Sequence, residues 1–163
     1  MTSADALLRY HRIPLTPSLN DAVDRASGVL KWTRAGEELY WDINLSPDLA
    51  VHIDNHDLIE LLGVVLDNAA KWAKSKVIVR AERSDGNAII EIVDDGPGLQ
   101  QDQLEAIATR GHRADQSVSS TGLAIAIAKE IVTLNSGAIE FRAHDSGGLV
   151  VRLVLPLAAA SLS

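Results

Sequence analysis

The sequence contains no cysteine, no long apolar run and no internal repeat among its 163 residues. The first absence excludes disulfide bonds and thiolate metal sites, and it fits a reducing cytoplasm. No apolar stretch approaches the roughly 20 residues that a membrane-spanning helix needs. The chain also does not open on a basic segment followed by an apolar one, so nothing in it indicates export. We therefore expect a cytoplasmic domain without direct membrane contact.

Positive charge is also scarce. Lysine and arginine number 15 against 22 acidic residues, which gives a formal net charge of -7, and no block of basic residues stands out. Nucleic-acid surfaces depend on basic side chains that neutralise phosphates, so this composition argues against a nucleic-acid partner. An anionic small ligand would have to rely on a few local basic residues.

The composition that remains is typical of one globular domain. Hydrophobic residues make up 47% of the chain and charged residues 23%. A chain of this length can bury roughly two-thirds of its unfolded surface in a single core. We expect residues 1–14 to be the remnant of a preceding helical hairpin or linker, 15–156 to be the domain proper, and 157–163 to be a frayed tail.

Hydrophobic periodicity predicts helices and strands in mixed order. Helices are expected at 17–34, 55–73, 101–109 and from Gly122, and strands at 39–45, 49–53, 77–81, 88–93, 138–143 and 149–155. Thr16 and Pro17 are expected to cap and open the first helix, and Asp54 to cap the second. The turn 84–87 and the strands of the second half predict hairpins. Together they predict an α/β two-layer sandwich with a mixed, mainly antiparallel sheet covered on one face by helices.

The stretch 92–99 reads Ile-Val-Asp-Asp-Gly-Pro-Gly-Leu and ends an apolar strand. Two adjacent carboxylates there are costly to desolvate unless a polar group meets them, which indicates a ligand site. Gly96 and Gly98 carry no Cβ, so their backbone could lie close to a flat ligand. Taken alone, these residues fit an ordinary Asp-Gly turn equally well.

Three motifs follow one another in a fixed order: Leu-Asp-Asn-Ala-Ala-Lys-Trp at 66–72, Asp-Asp-Gly-Pro-Gly at 94–98, and Ser-Thr-Gly-Leu-Ala-Ile-Ala at 120–126. Together they resemble the N, G1 and G2 boxes of the catalytic ATP-binding domain of sensor histidine kinases. That family shares its Bergerat-type fold with gyrase B, Hsp90 and MutL. The resemblance covers about residues 17–155, and the context of the motifs is most similar to PhoQ-type kinases.

The resemblance implies a role for each matching residue. Asp94 would accept a hydrogen bond from the exocyclic amino group of adenine, which suits a group that only accepts. Asn68 would give an oxygen to Mg²⁺, which prefers hard oxygen ligands. Lys71 would place a charge near the phosphates, and Trp72 a ring beside the nucleotide. Singly, Asn68 is as typical of a helix end, and Trp72 of a core.

The loop and helix after the Gly turn would contact the phosphates. Arg110 and Arg113 stand where the family's lid reaches the triphosphate, although a lone arginine there is as typical of a solvated loop. Gly122 would let backbone close on phosphate at a helix N-terminus. The expected nucleotide-binding residues are Asn68, Lys71, Trp72, Asp94, Gly96, Gly98, Arg110, Arg113, Thr121, Gly122 and Leu123. The expected cofactors are ATP and Mg²⁺, with Asn68 as the metal ligand.

The chain departs from the family pattern at several positions. Val64 stands where sensor kinases usually carry a second asparagine and gyrase-type ATPases the glutamate that activates water, and valine can do neither. The glycine-rich G2 pattern is reduced to Ser120, Gly122 and Ala124. Ala108 replaces the usual phenylalanine of the F box. These changes predict weaker magnesium binding and disfavour hydrolysis by direct water attack.

The five histidines show no metal-ligand spacing, so we expect surface or packing roles for them: His11, His52, His56, His112 and His144. His11 is followed by Arg-Ile-Pro, which does not match the family's phosphoacceptor box. The resemblance to sensor histidine kinases implies that the phosphoacceptor lies on a histidine-bearing dimerisation domain of the same protein, with a response regulator as a further partner.

Three hypotheses follow from these residues. The first is a kinase domain that hands the γ-phosphoryl group of Mg-ATP to a histidine, a transfer that depends mainly on positioning and charge neutralisation. The second is a degenerate domain that keeps the fold and acts as a docking or phosphorelay module. The third is a fragment of a gyrase-like or chaperone-like ATPase, which Val64 opposes.

Overall fold

A computed structural model describes residues 17–32, 38–97, 120–144 and 147–158. Helices α1, α2 and α3 span Leu19–Leu30, Asn55–Trp72 and Ser120–Leu134. Strands β1 to β5 span Tyr40–Leu45, Lys76–Ser84, Asn87–Asp94, Ala138–Ala143 and Leu149–Pro156. The predicted helix 101–109 lies outside the described residues. None of the helices in the described ranges is both long and apolar enough to cross a membrane.

The five strands form one mixed sheet in the order β1-β2-β3-β5-β4. β1 and β2 are parallel, and the other three neighbouring pairs are antiparallel. β2 and β3 are joined by a two-residue turn in which Asp85 and Gly86 have φ of 48° and 81°. These are the positive angles of the tight hairpin turn that the sequence predicted.

The helices cover one face of this sheet. α2 packs against α1, α3 and β3, and α3 also packs against β4 and β5. Side chains of β3 alternate strictly between half-buried and buried, so that Ala88, Ile90, Ile92 and Asp94 point toward the helices. The predicted two-layer α/β sandwich is therefore confirmed, and the end of β3 carries an acid into the covered layer.

Helix α1 begins differently from the prediction. Its N-cap is Ser18, whose hydroxyl accepts from the N–H of Asp21 at 3.2 Å, and Pro17 precedes the helix. The helix ends at Leu30 rather than near 34. Val29, expected on the buried side, is exposed because the inward stripe follows Leu19, Val23, Ser27 and Leu30.

Helix α2 begins as the sequence predicted. The carboxylate of Asp54 accepts from the N–H groups of His56 and Asp57 at 2.7 and 3.3 Å. Buried leucines at helical spacing hold the helix on the sheet. The last turn carries Lys71 and Trp72, and the helix therefore ends beside the end of β3.

Two other boundaries differ from the prediction. Residues 49–53 do not form a strand, and only isolated bridges join Ala50 to Ser18 and Val51 to Leu157. The tail was predicted to begin at residue 157. However, Leu157 pairs with Val51, and the N–H of Ala158 donates to the carbonyl of Ala50 at 2.8 Å. Local alternation of apolar residues could not reveal that this segment has only single-bridge partners.

Helix α3 begins at Ser120, two residues before the predicted start at Gly122. Its middle is buried at Ile125, Ala126 and Ala128, but Leu123 and Leu134 are exposed. An all-round apolar helix predicts burial on both sides. That prediction is right only for the central turns.

Candidate nucleotide site at the end of β3

Among the residues that the structure describes, Asp94 is the acidic residue that the fold buries. It ends β3 on the helix-covered face and is 4% exposed. The N–H of Gly96 donates to its Oδ1 at 2.9 Å. A carboxylate has about four acceptor positions, so this oxygen pair keeps capacity for a ligand donor.

Burial raises the pKa of Asp94, and the negative charge of Asp95 raises it further. Hydrogen bonds from the backbone of Gly96 and Leu149 and the nearby His144 act in the opposite direction without cancelling the burial. A buried carboxyl group with a perturbed pKa at the edge of a fold is a functional-site candidate. Of the two adjacent acids, Asp94 is therefore the one that the fold holds at a cost.

Gly96 is required by close packing inside the chain. A Cβ there would lie 2.1 Å from the carbonyl oxygen of Trp72 and 3.0 Å from Oδ1 of Asp94. Glycine at position 96 therefore has a structural reason, because its small size brings the last turn of α2 against the end of β3. The close approach of its backbone to a flat ligand stays a prediction.

Gly148 makes a similar approach on the other side of Asp94, and sequence reasoning missed it. Its φ is +96°, and a Cβ would lie 1.9 Å from the carbonyl oxygen of Asp94. The turn is closed by the N–H of His144 donating to the carbonyl of Gly148 at 3.1 Å. The sequence shows Gly147 and Gly148 directly before β5, and glycines next to a strand are also typical of close backbone approach.

Asp95 has a structural role that the sequence did not reveal. Its Oδ1 accepts from the N–H groups of Lys74, Ser75 and Lys76 at 2.8, 3.0 and 3.2 Å. Its Oδ2 accepts from the Ser75 hydroxyl at 2.6 Å and from the Ser75 N–H at 3.2 Å. Desolvation alone would raise the pKa of Asp95, but these hydrogen bonds outweigh it and hold the pKa well below the usual range.

Asn68 lies on α2, one helical turn before Trp72, and is 7% exposed. It borders a small space of about 10 Å³ between α2 and α3, with apolar neighbours that include Val65, Ile125 and Phe141. That volume is at most about one water molecule. The side chain of Asn68 is therefore buried next to apolar side chains, on the side of α2 that faces α3.

The remaining predicted residues are only partly described. Lys71 is exposed, Trp72 is 40% exposed at the end of α2, and Leu123 is 54% exposed in the first part of α3. Thr121 and Gly122 belong to the first turn of α3. Three predicted residues lie outside the described residues: Gly98, Arg110 and Arg113.

The donor set fits a magnesium ion that is shared with phosphates. The described ranges hold no cluster of three or more histidine or acidic side chains that could bind a metal alone. Asn68 offers one amide oxygen, and Mg²⁺ typically takes one or two protein oxygens together with substrate phosphates and waters. Val64, one turn earlier on α2, is half-buried and offers no oxygen.

A wide groove lies elsewhere among the described residues. A groove of about 680 Å³ lies on the opposite face of the sheet, bordered by residues such as Asn44, Arg80, Glu91 and Arg152. None of the predicted site residues borders it. The groove therefore lies on the open face of the sheet, whereas the buried acid Asp94 and the buried amide Asn68 belong to the helix-covered side.

Comparison with known proteins agrees with the motif order. Residues 53–159 match the family described as histidine kinase-, DNA gyrase B-, and HSP90-like ATPase. This segment is more than half of the chain, and the chain belongs to that family. Within it, the chain is similar to the catalytic domains of sensor histidine kinases, and in particular to those of the PhoQ type.

Three relatives illustrate the similarity. Sensor protein kinase CarS of Pseudomonas aeruginosa is 38% identical over 122 residues, which are 75% of this chain and 27% of that protein. Sensor protein PhoQ of Escherichia coli is 32% identical over 148 residues, or 91% of this chain and 30% of that protein. The mycobacterial sensor histidine kinase MprB superposes with a TM-score of 0.74 at 28% identity, covering 87% of this chain and 96% of that structure. The chain thus spans less than a third of the two curated relatives' length.

Proposed function

We propose that this chain is the ATP-binding catalytic domain of a two-component sensor histidine kinase. It binds Mg-ATP between the end of β3 and the last turns of α2, and it donates the γ-phosphoryl group to a histidine on a dimerisation domain. The observation that carries the proposal is Asp94, an acid buried at the edge of the covered layer, with its pKa raised. A structural role alone would not require a charge there.

The described residues divide the binding work between base and phosphates. Asp94 accepts from the exocyclic amino group of adenine, a donor that guanine lacks at that position. Trp72 flanks the nucleotide, while Lys71 supplies a point charge toward the phosphates. Asn68 gives one oxygen to Mg²⁺, which neutralises phosphate charge when bound. The first turn of α3, with Thr121, Gly122 and Leu123, offers backbone N–H groups to an anion.

Gly98, Arg110 and Arg113 complete the proposed site from the segment that follows β3. The proposed partners are a histidine-bearing dimerisation domain of the same protein and a response regulator, because the relatives are named sensor kinases. The proposed location is the cytoplasm, with the whole protein anchored in the inner membrane.

Calorimetry with Mg-ATP and Mg-GTP tests the proposal. We expect the unchanged chain to prefer ATP, and Asp94→Asn to lose about 10- to 100-fold in ATP affinity, the size expected for one hydrogen bond to a charged group. Asp85→Asn, the same chemical change in the hairpin turn at the far end of β3, is the matched control and should bind as before. The proposal fails if the unchanged chain binds neither Mg-ATP nor Mg-ADP at millimolar concentrations.

Val64 and Ala124 favour a second candidate, a domain that keeps the fold but no longer transfers phosphate and serves as a docking or phosphorelay module. Val64 lies one helical turn before Asn68 on α2, and Ala124 on α3 borders the same small space as Asn68. Val64→Asn in the full-length protein separates the two candidates. A large gain in autophosphorylation supports the degenerate domain, whereas an active parent that changes little supports the kinase.

A further inference from the structure

The carboxylate of Asp95 lies where the chain passes from α2 to β2. Three consecutive backbone N–H groups, of Lys74, Ser75 and Lys76, converge on it together with the Ser75 hydroxyl. Successive N–H groups that point into one concavity form a binding place for an anion. Here a side chain from 20 residues further along the chain occupies that place.

These contacts leave Asp95 little capacity for a ligand. A carboxylate offers about four acceptor positions. Oδ1 receives three N–H groups, and Oδ2 receives the hydroxyl and a share of the Ser75 N–H. Hydrogen bonds to an ionised acceptor are also stronger than neutral ones. Asp95 therefore connects the end of β3 to the segment after α2 by hydrogen bonds and is not placed to contact a nucleotide.

These hydrogen bonds connect the two halves of the proposed site, the end of β3 and the last turn of α2. Asp95 directly follows Asp94 at the end of β3, and its partners directly follow the last turn of α2, which carries Asn68 and Trp72. Gly96 packs against the carbonyl of Trp72 and keeps the same two elements in contact. The buried leucines hold α2 on the sheet, and one side chain and one glycine hold its last turn next to the end of β3.

We propose that Asp95 is a positioning residue for nucleotide binding, which fixes the last turn of α2 relative to Asp94 without touching the nucleotide. The inference rests on the proposed function for its ligand. It predicts that loss of the carboxylate weakens binding of a ligand that spans both elements, even where the chain stays folded. A purely structural role predicts reduced stability with unchanged affinity of the folded chain.

The test compares Asp95→Ala, Asp95→Asn, Ser75→Ala and the control Asp85→Asn by calorimetry with Mg-ADP, well below each variant's unfolding midpoint. We expect Asp95→Ala to bind about tenfold more weakly, because small misplacements of binding groups are costly. Asp95→Asn keeps an oxygen for the three N–H groups and can donate to the Ser75 hydroxyl, so it should recover affinity to within about threefold. Ser75→Ala should lose about two- to threefold, and Asp85→Asn nothing.

A folded Asp95→Ala with the affinity of the unchanged chain overturns the inference. If that variant does not fold, Ser75→Ala decides, since its loss supports the inference and unchanged affinity overturns it. If the unchanged chain itself binds no Mg-ADP, the proposed function fails separately. Hydrogen exchange of residues 69–73, none of which donates to Asp95, then decides the positioning role. Faster exchange in Asp95→Ala, or in Ser75→Ala where Asp95→Ala does not fold, supports it, and unchanged exchange overturns it.

Discussion

Acidic side chains form exposed ion pairs on one face of the sheet, whereas an acidic side chain is buried on the other face. On the open face Glu91 lies 3.4 Å from Arg142, and Glu140 lies 3.5 Å from Arg152. On the covered face Asp94, three residues after Glu91 on the same strand, is buried beside backbone donors and another acid. Exposed ion pairs cost the fold little, whereas burial of a carboxylate is expensive, and for Asp94 the nearby His144 does not cancel that cost.

The register of β3 explains how one strand carries an ion-paired acid on the open face and a buried acid on the covered face. β3 places Glu91 opposite Arg80 on β2 and Arg152 on β5, so acids and bases alternate across the open face. The covered face of β3 is aliphatic until its last residue, Asp94. The acid thus enters the core at the strand end, where α2 ends and a ligand could reach it.

The largest expected effect is the loss of stability when an isoleucine of β3 is shortened on the covered face, compared with the open face. Ile92 is fully buried under the helices, and Ile89 is half-buried on the open face of the same strand. We expect Ile92→Ala to lower the free energy of unfolding by about 2–5 kcal/mol, and Ile89→Ala by about 1 kcal/mol. Urea unfolding of both variants checks this. Equal losses would show that both faces are packed alike.

An intermediate effect concerns the buried acid. Asp94→Asn keeps an acceptor for the N–H of Gly96 and removes the buried charge, so we expect it to raise the free energy of unfolding at pH 7 by roughly 0.5–2 kcal/mol. Glu91→Gln, on the open face, should change it by less than about 0.5 kcal/mol. A destabilised Asp94→Asn would mean that the fold itself needs this charge.

The pH dependence gives the sign of the Asp94 effect. Its pKa is raised in the folded chain above the ordinary value of 3.8, so the native state holds this proton more tightly than the unfolded chain. The penalty is complete above the raised pKa and disappears below 3.8. The advantage of Asp94→Asn, measured by urea unfolding between pH 7 and pH 4, should therefore shrink as the pH falls.

Asp95 provides the opposite dependence in the same experiment. Its pKa is lowered in the folded chain, so its contribution is present above the unfolded value of 3.8 and is lost as the pH falls further through the native pKa. Asp95→Asn should therefore destabilise the chain at pH 7 and converge with the unchanged chain only in strong acid. Convergence already near pH 5 would contradict the hydrogen bonds assigned to Asp95.

The smallest effect is the ion pair of the open face. Arg152 and Glu140 approach within 3.5 Å, and both side chains are substantially exposed. A double-mutant cycle with Arg152→Ala and Glu140→Ala should give a coupling below about 0.5 kcal/mol that weakens in high salt. A coupling of several kcal/mol would contradict the view that acidic side chains on the open face have little effect on the stability of the fold.

Sequence patterns predicted the parts of the fold that depend on local periodicity and turn chemistry. The alternation of β3, the leucine stripe of α2, the Asp54 cap and the Asp85-Gly86 turn all carry their signal within a few residues. Asp94 stood out because charge is unexpected at the end of an apolar strand. The family resemblance, which needed three separated motifs, is supported by the match over residues 53–159.

Sequence patterns failed where a residue's role depends on a distant segment. The partners of Asp95 lie about 20 residues earlier in the chain, and the approach of Gly148 to Asp94 joins two strands. Sequence patterns also did not reveal that Gly96 packs against the carbonyl of Trp72. The Val51 to Leu157 bridge also joins two segments that are far apart in the sequence. Periodicity carries no information on such contacts.

The central claim is that Asp94 is kept for a nucleotide at the expense of stability. Thermal unfolding of the unchanged chain and of Asp94→Asn, each with and without excess Mg-ADP, tests this most directly because bound ligand raises the midpoint according to its affinity. We predict that Asp94→Asn has the higher midpoint without nucleotide and the smaller rise with it. A lower midpoint together with an undiminished rise would contradict the account.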